Sequence, residues 1–194
     1  MGLSSTATRT RILDVSQRLI QARGFSAFSF ADIAAAVGIR KASIHHHFPT
    51  KGDLAIALMR RYRVDFASLL AEISREHRKL AARLNAYQAL FSNVLRDGDR
   101  LCMCGMLAAD FGALPDDVRL EVRAFFDDNE RWLAKALTDG KRAGETAFRG
   151  TAATQARVVL AALEGAMLVA RTYSDVGRFN AVARRVLADS LRTD

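Results

Sequence analysis

Side chains that can donate hydrogen bonds to phosphates or to the edges of DNA bases are concentrated between residues 29 and 51. They are Ser29, Arg40, Lys41, Ser43, His45, His46 and Lys51. Ser29 and Lys51 stand at the starts of predicted helices, where backbone N–H groups attract anions, so these two are predicted to hold phosphates. The other five are predicted to lie on the DNA-facing side of a short helix or at its rim, where they can donate to phosphates or base edges. The chemistry indicated is binding to double-stranded DNA.

The positive charge of the chain lies at the same end. The formal net charge is +8, and residues 1–63 hold ten Lys and Arg against three Asp. The remaining residues carry nineteen basic and eighteen acidic side chains, so they are close to neutral. A positive end on a neutral body is expected of a protein that binds a polyanion. A membrane surface or an acidic protein is the weaker alternative on charge alone.

Three consecutive histidines, His45 to His47, raise the question of a metal site. Successive residues of a helix point about 100° apart, so the three rings cannot converge on one ion. We expect one packed ring beside two that face solvent, and neither a metal nor another cofactor. The sequence contains no phosphate-binding glycine loop, nucleophile elbow or His/Glu metal motif, so the protein is predicted not to be an enzyme.

The elements that must position these residues are helices. Helical periodicity runs along the chain, which has only two prolines and no sustained alternation typical of strands. The sequence therefore predicts an all-α fold of about nine helices. The first three are predicted at residues 8–23, 30–37 and 40–48. Gly24 and Gly38 end the first two, Pro49 ends the third, and the glycine turn between two short helices predicts a helix-turn-helix.

A long helix over residues 51–74 is predicted to link two domains. The first, residues 1–55, is the helix-turn-helix DNA-binding domain, and the second, residues 56–194, is a helical effector-binding and dimerisation domain. Thr50 and Asp53 form a capping box that starts the linking helix. Further helices are predicted at residues 77–96, 102–111, 116–139, 152–174 and 179–192.

Motifs over about residues 8–55 resemble the tetracycline-repressor (TetR/AcrR) family of bacterial regulators. They are Thr10-Arg11-Ile12-Leu13, Gly24-Phe25, Ser29-Phe30-Ala31-Asp32-Ile33-Ala34 and Ile39-Arg40-Lys41-Ala42-Ser43-Ile44-His45-His46-His47-Phe48-Pro49-Thr50-Lys51. The resemblance implies a three-helix DNA-binding domain and an all-α ligand-sensing domain. It also implies dimerisation through the last two long helices and release from the operator when an effector binds. His45, Ala42 and Gly52 depart from the Tyr, Gly and Glu common in that family.

The second half of the chain carries apolar, aromatic and charged side chains that are predicted to line a cavity for a small-molecule effector. They are Cys102, Met103, Met106, Phe125, Trp132, Glu164, Met167 and Tyr173. Ordinary core packing is the alternative for each of them, and the family resemblance is what favours a cavity. Glu164 lies in an otherwise apolar segment, where it could orient a polar ligand or lie at a subunit interface.

Cys102 and Cys104 are the only cysteines. An accessible, electropositive thiolate near Arg100 would suit a sensor of electrophiles. Burial as small apolar side chains is the alternative, and we favour it because cysteine is often buried. Two cysteines this close in sequence form no unstrained local disulfide, which suits a reducing compartment.

Small residues between positions 151 and 176 permit close approach of helices. The predicted homodimer interface therefore consists of residues 152–174 and 179–192, packed as four helices across a two-fold axis. Such a dimer would place its recognition helices about 34 to 36 Å apart and require a palindromic operator. The N-terminal lead is polar and no segment has eighteen consecutive apolar residues, so a cytoplasmic protein without membrane association is expected, most simply a repressor.

Overall fold

The computed structural model describes residues 4–98 and 100–192; residues 1–3, at the start of the polar lead, lie outside this range. Within the described residues the fold has nine α-helices, one 3-10 helix at Phe111–Ala113 and no strand, so the all-α prediction is confirmed. The helices are α1 (Ser5–Arg23), α2 (Phe30–Val37), α3 (Lys41–His47), α4 (Lys51–Glu76), α5 (Leu80–Arg96), α6 (Met103–Ala109), α7 (Asp116–Arg142), α8 (Ala152–Thr172) and α9 (Val176–Ser190).

The chain forms two compact units. Unit 1 contains Met1–Val64 and Met103–Ala124, and unit 2 contains Asp65–Cys102 and Phe125–Asp194. The predicted division at residue 55 differs from this arrangement, because unit 1 also includes α6 and the beginning of α7. Packing of α6 against α1 accounts for the difference. A helical pattern in the sequence does not specify which distant helix a given helix will contact.

Unit 1 is built around α1, α2 and α3, whose apolar faces meet in one small core. Ile12, Ile33 and Ile44 each have 0% exposure. Gly38 follows α2 with a φ of 76°, a left-handed conformation that side chains other than glycine rarely adopt, and it lets the chain turn directly into α3. Short helices of this length depend on such packing, because they are marginal in isolation.

Side chains at the helix starts explain where several helices begin. Ser4 Oγ accepts a hydrogen bond from Ala7 N over 3.2 Å, so α1 begins at Ser5, three residues before the predicted start. At the start of α4, Thr50 N donates to Asp53 Oδ2 and Asp53 N donates to Thr50 Oγ1. This arrangement is the predicted capping box.

Unit 2 has α5, α8 and α9 packed against one another. Its core includes Tyr87, Phe125, Leu163 and Phe179, each with 1% exposure or less. Among the described residues α8 is the one helix long and apolar enough to cross a membrane, with 33% of that segment buried inside the protein. α8 packs against α5 and α9 within unit 2.

Candidate functional site

α3 is anchored by one face and exposed on the other. Ile44 and Phe48 lie in the core of unit 1 at 0% and 2% exposure. The exposed side chains are Arg40, Lys41, His45 and His46, and Ser43 is half-buried at their edge. Because the anchoring residues lie four apart on a helix, the polar residues between them must point away from the core. The helix therefore presents a polar, cationic surface to solvent.

His45 is fixed in orientation by two neighbours. Its ring meets the edge of the Phe30 ring with centroids 4.9 Å apart, and its Nδ1 lies 3.2 Å from the carbonyl oxygen of Pro49. A carbonyl oxygen only accepts, so Nδ1 carries a proton, and the tautomer with its proton on Nδ1 has Nε2 as an acceptor. An acceptor suits an amino group on a base edge, whereas a phosphate needs a donor. The predicted donor role of His45 thus requires a protonated ring.

Ser29 uses its own donors within α2. Its backbone N–H and its hydroxyl both donate to Asp32 Oδ2, each over 2.7 Å. The hydrogen bond from the hydroxyl is the main reason that the pKa of Asp32 lies below its usual value. The hydroxyl proton is therefore engaged, and the backbone N–H groups of the first turn are the remaining donors for an anion at this end of α2.

Lys51 reaches back to the turn between α1 and α2. Its Nζ donates to the carbonyl oxygens of Phe25 and Phe28. The same ammonium lies 4.5 Å and 4.1 Å from the centroids of the two rings. Partial burial is the main cause that lowers the pKa of Lys51, while nearby Asp110 and Asp32 oppose it. Two of its three N–H bonds are used inside the protein, which gives Lys51 a structural role that the sequence did not indicate.

Three arginines of α4 have carboxylate partners inside unit 1. Arg61 Nη1 lies 2.7 Å from Asp14 Oδ1, whereas Arg60 and Arg63 both bind Glu121, at 3.1 and 2.6 Å. Burial of Glu121 opposes its ionisation, but the hydrogen bonds from Arg63 and Arg60 outweigh burial and hold its pKa below the usual value. These charges serve the packing of α4, so the cations around α3 remain the main candidates for binding DNA.

The predicted effector-binding residues are divided between the two units. Met103 and Met106 belong to unit 1, whereas the other six belong to unit 2. Tyr173 is 60% exposed, and the Arg178 guanidinium lies 3.8 Å from the centroid of its ring. Neither unit therefore holds a pocket lined by the whole predicted set. Helical periodicity identified buried faces correctly for Phe125 and Met167, each at 1% exposure, but could not assign them to a common cavity.

Two of the predicted residues do meet in unit 2. The sulfur of Cys102 lies beside the carboxyl of Glu164, and both act on the nearby Tyr87 hydroxyl. Burial is the main cause that raises the pKa of Glu164 well above its usual value, and Cys102 adds to it by charge and by a hydrogen bond. Burial likewise raises the pKa of Tyr87. Tyr87 was missed in the sequence, although it shares the buried face of α5 with Leu84 and Phe91.

Both cysteines are buried, in agreement with the packing interpretation. Cys104 has 0% exposure, and its Sγ lies 3.9 Å from Met59 Sδ in unit 1. Cys102 has 3% exposure and belongs to unit 2. Across residues 4–98 and 100–192, no three His, Cys, Asp or Glu side chains are grouped to hold a metal ion.

Family models match both parts of the chain. Residues 12–58 match the model described as bacterial regulatory proteins of the tetR family. Residues 78–185, more than half of the chain, match the C-terminal domain of LmrA/YxaF-like transcriptional regulators. The first match covers α3 and its surroundings, and the second covers the helices that surround Glu164.

Known proteins resemble the chain over most of its length. A TetR-family regulator from Agrobacterium tumefaciens has 37% identity and a TM-score of 0.92, with 95% of this chain and 98% of that chain covered. The regulator AcuR of Cereibacter sphaeroides is 29% identical over 77% of this chain and 69% of its own length. The repressor NemR of Escherichia coli is 25% identical over 84% of each.

The fold and the exposed cationic α3 thus define a helix-turn-helix regulator of transcription, with a DNA-binding N-terminal part and a helical C-terminal domain. The chain belongs to the TetR family of bacterial DNA-binding transcriptional regulators.

Proposed function

We propose that this protein is a repressor that binds a palindromic operator as a homodimer and is released by a small-molecule effector. The observation that carries the proposal is the presentation of α3. Its apolar residues Ile44 and Phe48 are buried, while Arg40, Lys41 and His46 project into solvent. A recognition helix needs this division, because its position is set by the core and its base contacts by the opposite face.

The contacts proposed for DNA divide by chemistry. Arg40 and Lys41 supply charged donors for phosphates or for guanine, and Ser43 and His46 supply short polar contacts at base edges. His45 offers an acceptor through Nε2 to a base amino group. The Ser29 hydroxyl donates to Asp32, so the first-turn N–H groups of α2 are proposed to bind a phosphate in its place. Lys51 donates two of its three N–H groups to carbonyl oxygens, and the third is proposed to bind a phosphate.

Exposed apolar side chains on α8 and α9 support a homodimer. They are Val158, Leu168 and Val169 on α8, Tyr173 directly after α8, and Val182 on α9, each at least 43% exposed. Association would remove these apolar side chains from water, and a two-fold pairing would place α8 and α9 of both subunits in one four-helix contact. Sedimentation of Val169→Glu tests this proposal, with Leu120→Glu, an exposed apolar residue on α7, as the control. We expect a dimer for the wild type and the control, and a monomer for Val169→Glu.

The effector is proposed to bind in unit 2, where the family places ligand sensing. The repressors among the relatives, such as NemR, support repression as the output. We assign no enzymatic activity and no cofactor, and we place the protein in the cytoplasm, where a transcription regulator meets DNA.

The burial of Cys102 and Cys104 disfavours electrophile sensing at rest, and unchanged operator affinity after treatment with a thiol-alkylating reagent is the expected result.

Selection of bound sequences from random duplex DNA tests the proposal as a whole. The expected product is an inverted repeat whose half-sites lie about one helical turn apart. Affinity for that duplex should fall steeply with salt and still exceed affinity for random duplex by at least about a thousandfold. Recovery of no preferred sequence, or equal affinity for operator and random duplex, would refute the operator-binding role.

A further inference from the structure

We propose that a cleft on unit 2 binds a small organic polyanion, a molecule that carries two or more carboxylate or phosphate groups. The cleft has a volume of about 440 Å³ and lies between residues 147–149, which precede α8, and the end of α9. It is lined by Ala147, Phe148, Arg149, Arg185, Asp189 and Arg192. The inference goes beyond the proposed function, because none of these six residues is among the proposed DNA contacts or the apolar side chains proposed for dimerisation.

The first observation is an excess of positive charge in the lining of the cleft. Arg149, Arg185 and Arg192 are cationic, and Asp189 is the one carboxylate among the described residues that line it. Asp189 Oδ2 lies 3.0 Å from Arg185 Nε, so this pair is compensated internally. Arg149 and Arg192 have no carboxylate partner among the residues that the structure describes. The cleft therefore has two uncompensated positive charges, which an anion with two negative charges would balance.

The second observation is the chemistry of those two groups. A guanidinium is a planar fork of N–H donors that matches the paired oxygens of a carboxylate or a phosphate, and it stays protonated at neutral pH. Hydrogen bonds between ionised partners of this kind are stronger than those between neutral groups. A cationic ligand would be repelled by the same lining, and a neutral ligand would leave both charges uncompensated.

The third observation is that the two sides of the cleft are joined before any ligand binds. Ala147 N donates to the carbonyl oxygen of Arg192 over 2.7 Å, and Thr146 Oγ1 donates to the carbonyl oxygen of Ser190 over 2.6 Å. These bonds also engage carbonyl oxygens at the end of α9 that would otherwise repel an anion. Phe148, between the two arginine-bearing sides, is 5% exposed. Because the backbone that carries both free arginines is already held in place, binding requires less ordering.

The volume of the cleft favours a small molecule over a macromolecule. Sites for small ligands usually measure about 300 to 1,000 Å³, and this cleft lies within that range. A nucleic-acid backbone would instead need a row of cations along an extended surface. The carboxylate of Asp189 within the lining would oppose a continuous row of phosphates.

Isothermal titration calorimetry of the full chain at pH 7 tests the inference, with citrate and pyrophosphate as probes and sodium chloride of equal ionic strength as the control. We expect saturable binding of at least one probe at about one site per chain, and no saturable heat from sodium chloride. Tighter binding of citrate assigns the site to carboxylate ligands, and tighter binding of pyrophosphate assigns it to phosphate ligands.

Substitutions that change the charge of the cleft should act in opposite directions. The double variant Arg149→Gln/Arg192→Gln should weaken binding of the preferred probe on the order of tenfold or more. Asp189→Asn should strengthen it by about twofold or more, because the negative charge of the lining is removed and Arg185 is released. Arg184→Gln, an exposed arginine of α9 that does not line the cleft, is the matched control and should bind as the wild type does.

Thermal unfolding establishes that each variant is folded. Lys41→Ala identifies binding at the DNA-binding surface, since a probe that binds there would lose affinity in this variant and not in the double variant. That result, the absence of binding of both probes, an unaffected double variant, or weaker binding by Asp189→Asn would overturn the inference.

Discussion

The carboxylate of Asp110 accepts a hydrogen bond from the backbone N–H of Ser26, with Oδ2 and N 3.0 Å apart. Asp110 directly follows α6, and Ser26 lies in the turn between α1 and α2, so this bond joins segments 84 residues apart within unit 1. The same oxygen lies 3.0 Å from the position that a Cβ would take at Gly24. The turn that leads into the helix-turn-helix is therefore held by a side chain from the middle of the chain.

Replacement of Asp110 by Asn should loosen this turn. A hydrogen bond to a charged acceptor would become a neutral one, or be lost if the amide turns, and we expect unit 1 to lose about 1 kcal/mol of stability. The melting temperature should fall by about 2 to 4 °C, measured by circular dichroism. Asp117→Asn, on the exposed first turn of α7, is the control. Equal melting temperatures for the two variants would contradict a supporting role for Asp110.

Lys41 and Lys51 should respond differently to truncation. Lys41 is exposed on α3, so Lys41→Ala should weaken binding to all duplexes and lower the slope of log affinity against log salt by about 1, without a change in melting temperature. Lys51 stabilises the α1–α2 turn through two carbonyl oxygens and two rings, so Lys51→Ala should cost about 1 to 2 kcal/mol of stability. Fluorescence anisotropy and chemical denaturation measure the two effects. A Lys51→Ala variant of wild-type stability would refute the structural role.

Glu121 gives the stability of the protein a defined pH dependence. Its pKa in the folded protein lies below the ordinary value of 4.5 because hydrogen bonds from Arg63 and Arg60 outweigh burial. A carboxyl with a lowered folded pKa contributes stability that is fully present above pH 4.5 and is lost as the pH falls through the lowered pKa. Glu121→Gln should therefore be about 1 kcal/mol less stable at pH 7 and nearly equal to wild type in acid. A constant difference from pH 7 to acid, measured by urea unfolding, would be inconsistent with this account.

Gly140 allows close packing of α7 on α5. A Cβ at this position would lie 2.5 Å from Leu80 Cδ2 and 3.0 Å from Leu80 Cβ, and Leu80 is buried. Gly140→Ala should destabilise the protein by about 1 to 3 kcal/mol, despite the better helix propensity of alanine. Gly112→Ala is the matched control, because its Cβ would meet nothing within 4 Å. Urea midpoints measure both, and a neutral Gly140→Ala would show that Leu80 moves aside at no cost.

The sequence predicts local features of the fold more reliably than distant contacts. The bounds of α2 were predicted to the residue because Ser29 and Gly38 mark both ends. The start of α5 was placed three residues early, since Lys79 makes no local side-chain cap and the Leu80 N–H donates instead to the distant Glu145 carboxylate. The joining of α6 to unit 1 depends on Asp110 and on packing against α1, which no local pattern encodes.

In the candidate sites, too, features set by local sequence were predictable and contacts between distant residues were not. Exposure of Arg40, Lys41 and His46 follows from their spacing around Ile44, so the exposed cationic surface proposed to bind DNA was predictable. The internal partners of Lys51 were not predictable, because Phe25 and Phe28 lie more than twenty residues away and reach Lys51 only through the packing of unit 1. The effector residues were chosen by type, and type does not reveal which helix faces meet.

Cys104 Sγ and Met59 Sδ contact each other, and both of these oxidisable sulfurs lie in the interior of unit 1. A peroxide in solution can reach that pair only when the surrounding helices separate. The rate of oxidation at either sulfur would then measure how often unit 1 unfolds locally, as the rate of amide hydrogen exchange does for a buried N–H.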